Sequence, residues 1–97
     1  MSLEQILRNE VKEAKRWVDT GEGVYKRDLL KKIELINWAL QRIKNPNICE
    51  VIESKMNEII EKINKKDSMI EKDPLDRELR ILDWILFQVC SQPNKLV

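Results

Sequence analysis

Four glutamates in the second half of the chain have the residue type and spacing of a carboxylate metal site. They form two E-x-x-E pairs, "EVIE" and "EIIE", made of Glu50, Glu53, Glu58 and Glu61. Magnesium prefers several hard oxygen ligands, which paired carboxylates on facing helices can supply. Here the four side chains fall opposite the apolar residues of their own helix, and no matching acidic pair lies on the inner face of another helix. We interpret them as a solvated face and keep a divalent-metal carboxylate enzyme only as an alternative.

The sequence also lacks the residues that other common catalytic sites require. The chain has no histidine for acid–base work, and "GEG" (residues 21–23) is too short for a phosphate-binding loop and precedes no strand. Two cysteines without histidine cannot complete a four-ligand zinc site. We therefore predict that the protein is not an enzyme and holds neither a cofactor nor a metal ion.

The two cysteines, Cys49 and Cys90, could form one disulfide bond. However, the N-terminal stretch "MSLEQILRNE" lacks the basic segment and apolar segment of a secretory signal peptide. We therefore predict a cytoplasmic location, where thiols are usually kept reduced, and interpret both cysteines as small buried hydrophobic residues. No membrane contact is predicted, because the most apolar run, "ILDWILFQVC" (residues 81–90), is shorter than the roughly 20 residues that cross a bilayer.

A row of cations near the N-terminus could suit nucleic acid. It consists of Arg8, Lys12, Lys15 and Arg16, spaced so that a helix would present them along one side. Such a row could lie along a phosphate backbone. The whole chain, however, has 18 basic and 17 acidic residues, and a net charge of +1 gives no general attraction to nucleic acid. We favour an ordinary solvated face and keep nucleic-acid binding as an alternative.

Four long helices are expected to position these residues. Turn signals occur at "TGEG", "NPN" and "EKDP", and apolar residues recur three and four apart between them, which indicates amphipathic helices. No segment has the alternation of a strand. We predict a single domain over residues 1–97, an all-α, antiparallel up-down bundle of four helices at about 2–18, 24–44, 47–70 and 74–91.

Capping patterns mark several helix ends. The stretches that begin at Ser2 and Asn47 match capping boxes. Asp73 suits the start of the fourth helix because Pro74 would then take the first helical position, where a missing N–H costs nothing. One boundary is open, since the third helix either continues to about residue 70 or stops near residue 66 and restarts at "SMIE". Glu10, within the first apolar stripe, needs a basic partner or an exposed edge, because an unpaired buried charge is costly.

Two of the helices carry a second apolar patch on the side away from the predicted core. Each patch contains aromatic residues and is rimmed by arginine with few acids, a composition that is enriched at protein interfaces. Four predicted helices cannot easily cover both patches. The predicted interface consists of Leu35, Trp38, Arg77, Arg80, Trp84 and Phe87.

These features favour a small non-enzymatic helical module whose function is protein contact. The simplest partner is a second copy of the chain, because two-fold homodimers are the commonest oligomers. An adaptor or regulatory role, with another protein partner that the sequence does not identify, fits the same residues. The alternatives are nucleic-acid binding through the basic face of the first helix and the divalent-metal carboxylate enzyme.

Overall fold

A computed structural model describes residues 2–20 and 24–94, with side chains for residues 2–20 and 25–90. It contains four α-helices: α1 (Leu3–Val18), α2 (Val24–Leu40), α3 (Ile48–Asn64) and α4 (Met69–Asn94). The predicted all-α class is confirmed, since the described residues include no strand. None of these helices combines the length and the apolar character that a bilayer crossing requires.

The chain divides into two compact units, Met1–Asn45 and Pro46–Val97. In the first unit α1 packs against α2, and in the second α3 packs against α4. Each pair is an antiparallel hairpin, because its two packed helices are joined by a short connection, residues 19–23 in the first unit and 65–68 in the second. The disulfide between Cys49, early in α3, and Cys90, late in α4, agrees with this. The prediction of one domain over residues 1–97 stays a prediction.

The start of α1 follows its sequence pattern in part. The Ser2 hydroxyl accepts a hydrogen bond from the backbone N–H of Gln5 at 3.1 Å, so the predicted cap is confirmed. The Gln5 side chain does not close the box. Its amide Nε2 instead donates to Asn9 Oδ1, 2.8 Å away on the next turn.

The end of α2 differs from the prediction. The helix stops at Leu40 and not near residue 44. Beyond it, the N–H of Arg42 bonds to the carbonyl of Ala39 at 3.0 Å, and the N–H of Ile43 bonds to that of Leu40 at 3.3 Å. Bonds that reach back three residues make a tighter turn than an α-helix, which ends the regular ladder.

The buried residues of the first unit are aliphatic and come from both of its helices. In α2 the buried positions include two adjacent residues, Leu35 and Ile36, so the buried face of that helix is wider than a single row of residues three and four apart. These core residues are Leu7, Val11 and Ala14 of α1 and Leu35, Ile36 and Ala39 of α2.

An ion pair joins the middle of α1 to the middle of α2. Lys32 Nζ donates to Glu10 Oε1 at 2.5 Å, and both side chains are about two-thirds buried, with 31% and 33% of their surface exposed. Glu10 therefore has both the basic partner and the partly exposed edge that its position in an apolar stripe requires.

This ion pair should contribute more to stability than an exposed pair. We expect a double-mutant cycle of Glu10→Gln and Lys32→Met to give a coupling energy of about 1 kcal/mol, at the upper end of the range for exposed pairs, because partial burial reduces screening. Urea unfolding measures it. The control is Glu13 with Arg16, a pair on α1 at 3.8 Å with both side chains more than half exposed, for which we expect almost none. Equal coupling in the two cycles would contradict the prediction.

The connection between α3 and α4 settles the open boundary. α3 ends at Asn64 and α4 begins at Met69, where the Ser68 hydroxyl accepts a hydrogen bond from the N–H of Glu71 at 3.2 Å. The chain therefore stops and restarts at "SMIE", and the predicted third helix to residue 70 is wrong. The capping box at Asn47 is also wrong, since that side chain makes no capping hydrogen bond.

The fourth helix begins five residues earlier than predicted. Pro74 is the sixth residue of α4 and not the first, and Asp73 is helical. The proline lacks the N–H that would bond to the carbonyl of Ile70. Asp73 pairs instead with Arg77 one turn later, at 2.8 Å.

The cores of the two units resemble each other in composition. In the second unit α3 contributes three buried isoleucines on one side of the helix, and α4 contributes three buried aliphatic residues. The buried residues are Ile48, Ile52 and Ile59 of α3 and Leu82, Ile85 and Val89 of α4.

A disulfide bond closes the second hairpin. Cys49, near the start of α3, is bonded to Cys90, late in α4, and their Cα atoms are 5.9 Å apart, within the range that disulfides allow. The interpretation of both residues as reduced hydrophobes is therefore wrong. Disulfides persist mainly in oxidising compartments, so the cytoplasmic location stays a prediction that the cysteines do not support.

Removing this bond should destabilise the chain markedly. It links residues 41 positions apart, and the loop-entropy relation gives about 4 kcal/mol for a loop of this size. We expect a reductant, or the double change Cys49→Ala with Cys90→Ala, to lower the free energy of unfolding by that order. Chemical denaturation with and without dithiothreitol measures the effect, and the double variant should not respond to the reductant. An unchanged unfolding midpoint for the reduced natural chain would contradict the prediction.

Candidate functional site

The half of the predicted interface that lies on α2 is buried at Leu35 and partly exposed at Trp38. Leu35 is only 3% exposed. The guanidinium of Arg42 lies over the ring of Trp38, 4.8 Å from its centroid, and its Nη1 donates to the Trp38 carbonyl at 3.0 Å. A cation over an indole is a favourable contact. Leu35 is therefore a core residue of the first unit, while the role of Trp38 in an interface stays a prediction.

The half that lies on α4 is open. Phe87 is 55% exposed, and Trp84 is partly exposed. Arg80, whose side chain is 80% exposed, precedes them at helical spacing, so these side chains share one side of α4. We call this side, made of Arg77, Arg80, Trp84 and Phe87, the Phe87 face.

The arginines of the Phe87 face are neutralised locally. Arg77 pairs with Asp73 at 2.8 Å, and Arg80 pairs with Asp76 at 3.2 Å. The expected arginine rim therefore includes an aspartate beside each arginine. The spacing of each aspartate, four residues before its arginine, is visible in the sequence and could have indicated these pairs.

The first turn of α4 exposes two apolar side chains that are not part of the predicted interface. Met69 and Ile70 are both exposed, Ile70 to 86%. They were missed because the predicted helix boundaries placed them at the end of the third helix, where one of them would have continued its apolar stripe.

The four glutamates of the E-x-x-E pairs are all solvent-exposed on α3. Their placement agrees with the solvated-face interpretation. Among the residues that the structure describes, no group of three or more acidic, cysteine or histidine side chains could hold a metal ion.

A groove between α1 and α2 brings together three of the four cations of the predicted row. Its volume is about 270 Å³. Arg16 does not line it and lies 3.8 Å from Glu13. We call this feature the basic groove, and its lining residues are Arg8, Val11, Lys12 and Lys15 of α1 and Asn37 and Leu40 of α2.

The cations of the basic groove differ in how far they are neutralised. Arg8 Nη2 lies 2.7 Å from Glu4 Oε1 at one end. The hydrogen bond and the charge of Arg8, helped by the charge of Lys44, lower the pKa of Glu4 below its ordinary value of 4.5. In the described part of the chain, neither Lys12 nor Lys15 has a carboxylate within 4.0 Å.

Removing Arg8 should therefore raise the pKa of Glu4. We expect Arg8→Gln to shift this pKa upward toward 4.5, while Arg16→Gln leaves it unchanged because Arg16 lies near Glu13. A lowered pKa favours the folded state above pH 4.5, and this contribution is lost as the pH falls. Titration of the glutamate side-chain carbons by NMR measures the shift. An identical Glu4 pKa in the natural chain and Arg8→Gln would contradict the assignment.

Comparisons with protein-family models, curated proteins and solved structures gave no significant match to this chain. The candidate surfaces are therefore distinguished by their geometry. The Phe87 face offers a half-exposed aromatic ring among paired charges, and the basic groove offers a concave site with cations on one wall.

Proposed function

We propose that the protein is a small non-enzymatic interaction module that self-associates through the Phe87 face of α4, in an adaptor or regulatory role. The observation that carries this proposal is the exposure of Phe87, an aromatic side chain with 55% of its surface exposed beside two arginines that each pair with an aspartate. Aromatic residues with arginine are the usual centres of binding energy at interfaces.

The Phe87 face is suited to a second copy of itself. In a two-fold contact, each residue pair occurs twice in reciprocal form. Two antiparallel copies of α4 that cross between Asp83 and Trp84 would place Arg80 of each copy opposite Phe87 of the other, since both residues are equally far from the crossing point. Each such contact is a cation–π pair worth about 0.5–2 kcal/mol.

The polar groups on this face also match across the proposed two-fold axis. Asp83 of one copy would lie opposite Trp84 of the other, since both residues are equally far from the crossing point. The aspartates that pair with Arg77 and Arg80 keep the two approaching surfaces close to neutral, so charge repulsion between copies is small.

The expected affinity is modest. Phe87 and Trp84 from two copies would contribute roughly 6–12 kcal/mol when fully buried, which is comparable with an association cost of about 4–15 kcal/mol. Trp84 is already partly buried in the single chain, which lowers its share. We therefore expect a dimer with a dissociation constant of the order of tens of micromolar.

Self-association can be tested by sedimentation equilibrium over a range of concentrations. We expect Phe87→Ser to weaken the dimer by at least about tenfold, or 1.4 kcal/mol, and Arg80→Ala to weaken it less. Ile60→Ser is the matched control, because Ile60 is an exposed apolar residue on α3, and it should leave the dissociation constant unchanged.

Two results would contradict the proposal. One is a natural chain that stays strictly monomeric at about ten times the expected dissociation constant. The other is a dimer that Phe87→Ser and Ile60→Ser weaken equally, which would place the contact elsewhere or show that general hydrophobicity drives it.

A further inference from the structure

The basic groove concentrates positive charge in a chain that is almost neutral overall. Its lining includes three cations and no acid, whereas the whole chain has a net charge of +1. Glu4 neutralises part of the charge of Arg8, but Lys12 and Lys15 have no carboxylate within 4.0 Å in the described residues. Such an arrangement favours a ligand with at least two negative charges.

The cations are close enough to act on one group. Arg8, Lys12 and Lys15 lie at positions i, i+4 and i+7 of α1, so they span about 10 Å along the helix axis. Lysine and arginine have long side chains with several donors each, and charged donors make strong hydrogen bonds to phosphate. One phosphate, or two adjacent ones, can therefore contact all three.

The other wall of the basic groove suits a small organic group. Val11 and Leu40 provide apolar surface, and Asn37 provides an amide that both donates and accepts hydrogen bonds. The volume of about 270 Å³ is near the lower end of small-molecule sites, which begin at about 300 Å³. A compact ester would fill this volume.

A nucleic-acid strand fits the basic groove less well. The row of cations ends after Lys15, because Arg16 lies outside the groove beside Glu13. Proteins that bind single strands combine a long basic track with aromatic rings on which the bases stack, and no aromatic residue lines this groove.

We propose that the basic groove is a binding site for a compact phosphate ester. The phosphate binds Lys12, Lys15 and Arg8, and the organic part lies against Val11 and Leu40. A soluble ester and a lipid phosphate headgroup present the same chemistry, so either can be its source. The site uses α1 and α2 and does not depend on self-association through α4.

The full chain can be titrated with adenosine monophosphate, inorganic phosphate and adenosine at low salt, with backbone amide NMR as the readout. We expect saturable binding of adenosine monophosphate with shifts concentrated at α1 and at Asn37, at least about threefold weaker binding of inorganic phosphate, and none of adenosine, because both parts of the ligand contribute. A parallel arm uses vesicles that contain phosphatidic acid. Binding in either arm supports the site and identifies the source.

Charge removal tests the location. We expect Lys12→Gln with Lys15→Gln to weaken binding at least about tenfold, because two charged donors are lost. The matched control is Lys65→Gln with Lys66→Gln, which removes two exposed lysines beyond the end of α3 and should leave binding unchanged. Circular dichroism checks that both variants fold.

Several results would overturn the proposal. One is the absence of saturable binding in both arms, and another is inorganic phosphate binding as tightly as adenosine monophosphate. A third is equal weakening of binding in the two double lysine variants. Binding of a single-stranded oligonucleotide without any binding of the mononucleotide or the vesicles would also overturn it, and would assign these lysines to nucleic acid.

Discussion

Packing of two antiparallel amphipathic helices within each unit is the constraint on which the other features depend. A helix in such a hairpin buries one side and leaves the rest in water. Antiparallel packing brings together residues that are far apart in sequence. It places Glu10 beside Lys32 in the first unit and Cys49 beside Cys90 in the second. It also lines up the cations of α1 beside Asn37 of α2, so that a row on one helix becomes the wall of a groove.

The periodicity of apolar residues was sufficient to predict the number and type of the helices, because burial of one side imposes it directly. Helix ends were harder, since two caps compete before α4. Starting at Ser68 gains an additional turn, including the hydrogen bond from Lys72 N–H to the Ser68 carbonyl at 3.1 Å, and loses one bond at Pro74. Starting at Asp73 would avoid that loss but shorten the helix. Local sequence patterns do not show which of the two starting points gives the greater net number of helical hydrogen bonds.

The candidate surfaces were predicted only in part, for a related reason. A helical wheel shows which residues share a side, but it does not show what covers that side. Arg42 lies over the ring of Trp38, a contact that a helical wheel does not show. Phe87 on α4 keeps 55% of its surface exposed. The disulfide depends wholly on the register of α3 against α4, which the spacing of two cysteines in the sequence cannot reveal.

The distribution of charge makes the two proposed surfaces physically different, although they belong to one nearly neutral chain. On the Phe87 face of α4, Arg77 and Arg80 each have an aspartate one turn earlier. The proposed contact there would therefore depend on aromatic burial more than on charge. In the basic groove, Lys12 and Lys15 have no carboxylate within 4.0 Å among the described residues, so their positive charge is not neutralised locally. Salt at about 0.1 M screens charges beyond about 10 Å but hardly affects apolar burial. Added salt should therefore weaken the proposed anion binding by the groove more than the proposed self-association, so a salt titration separates the two proposals.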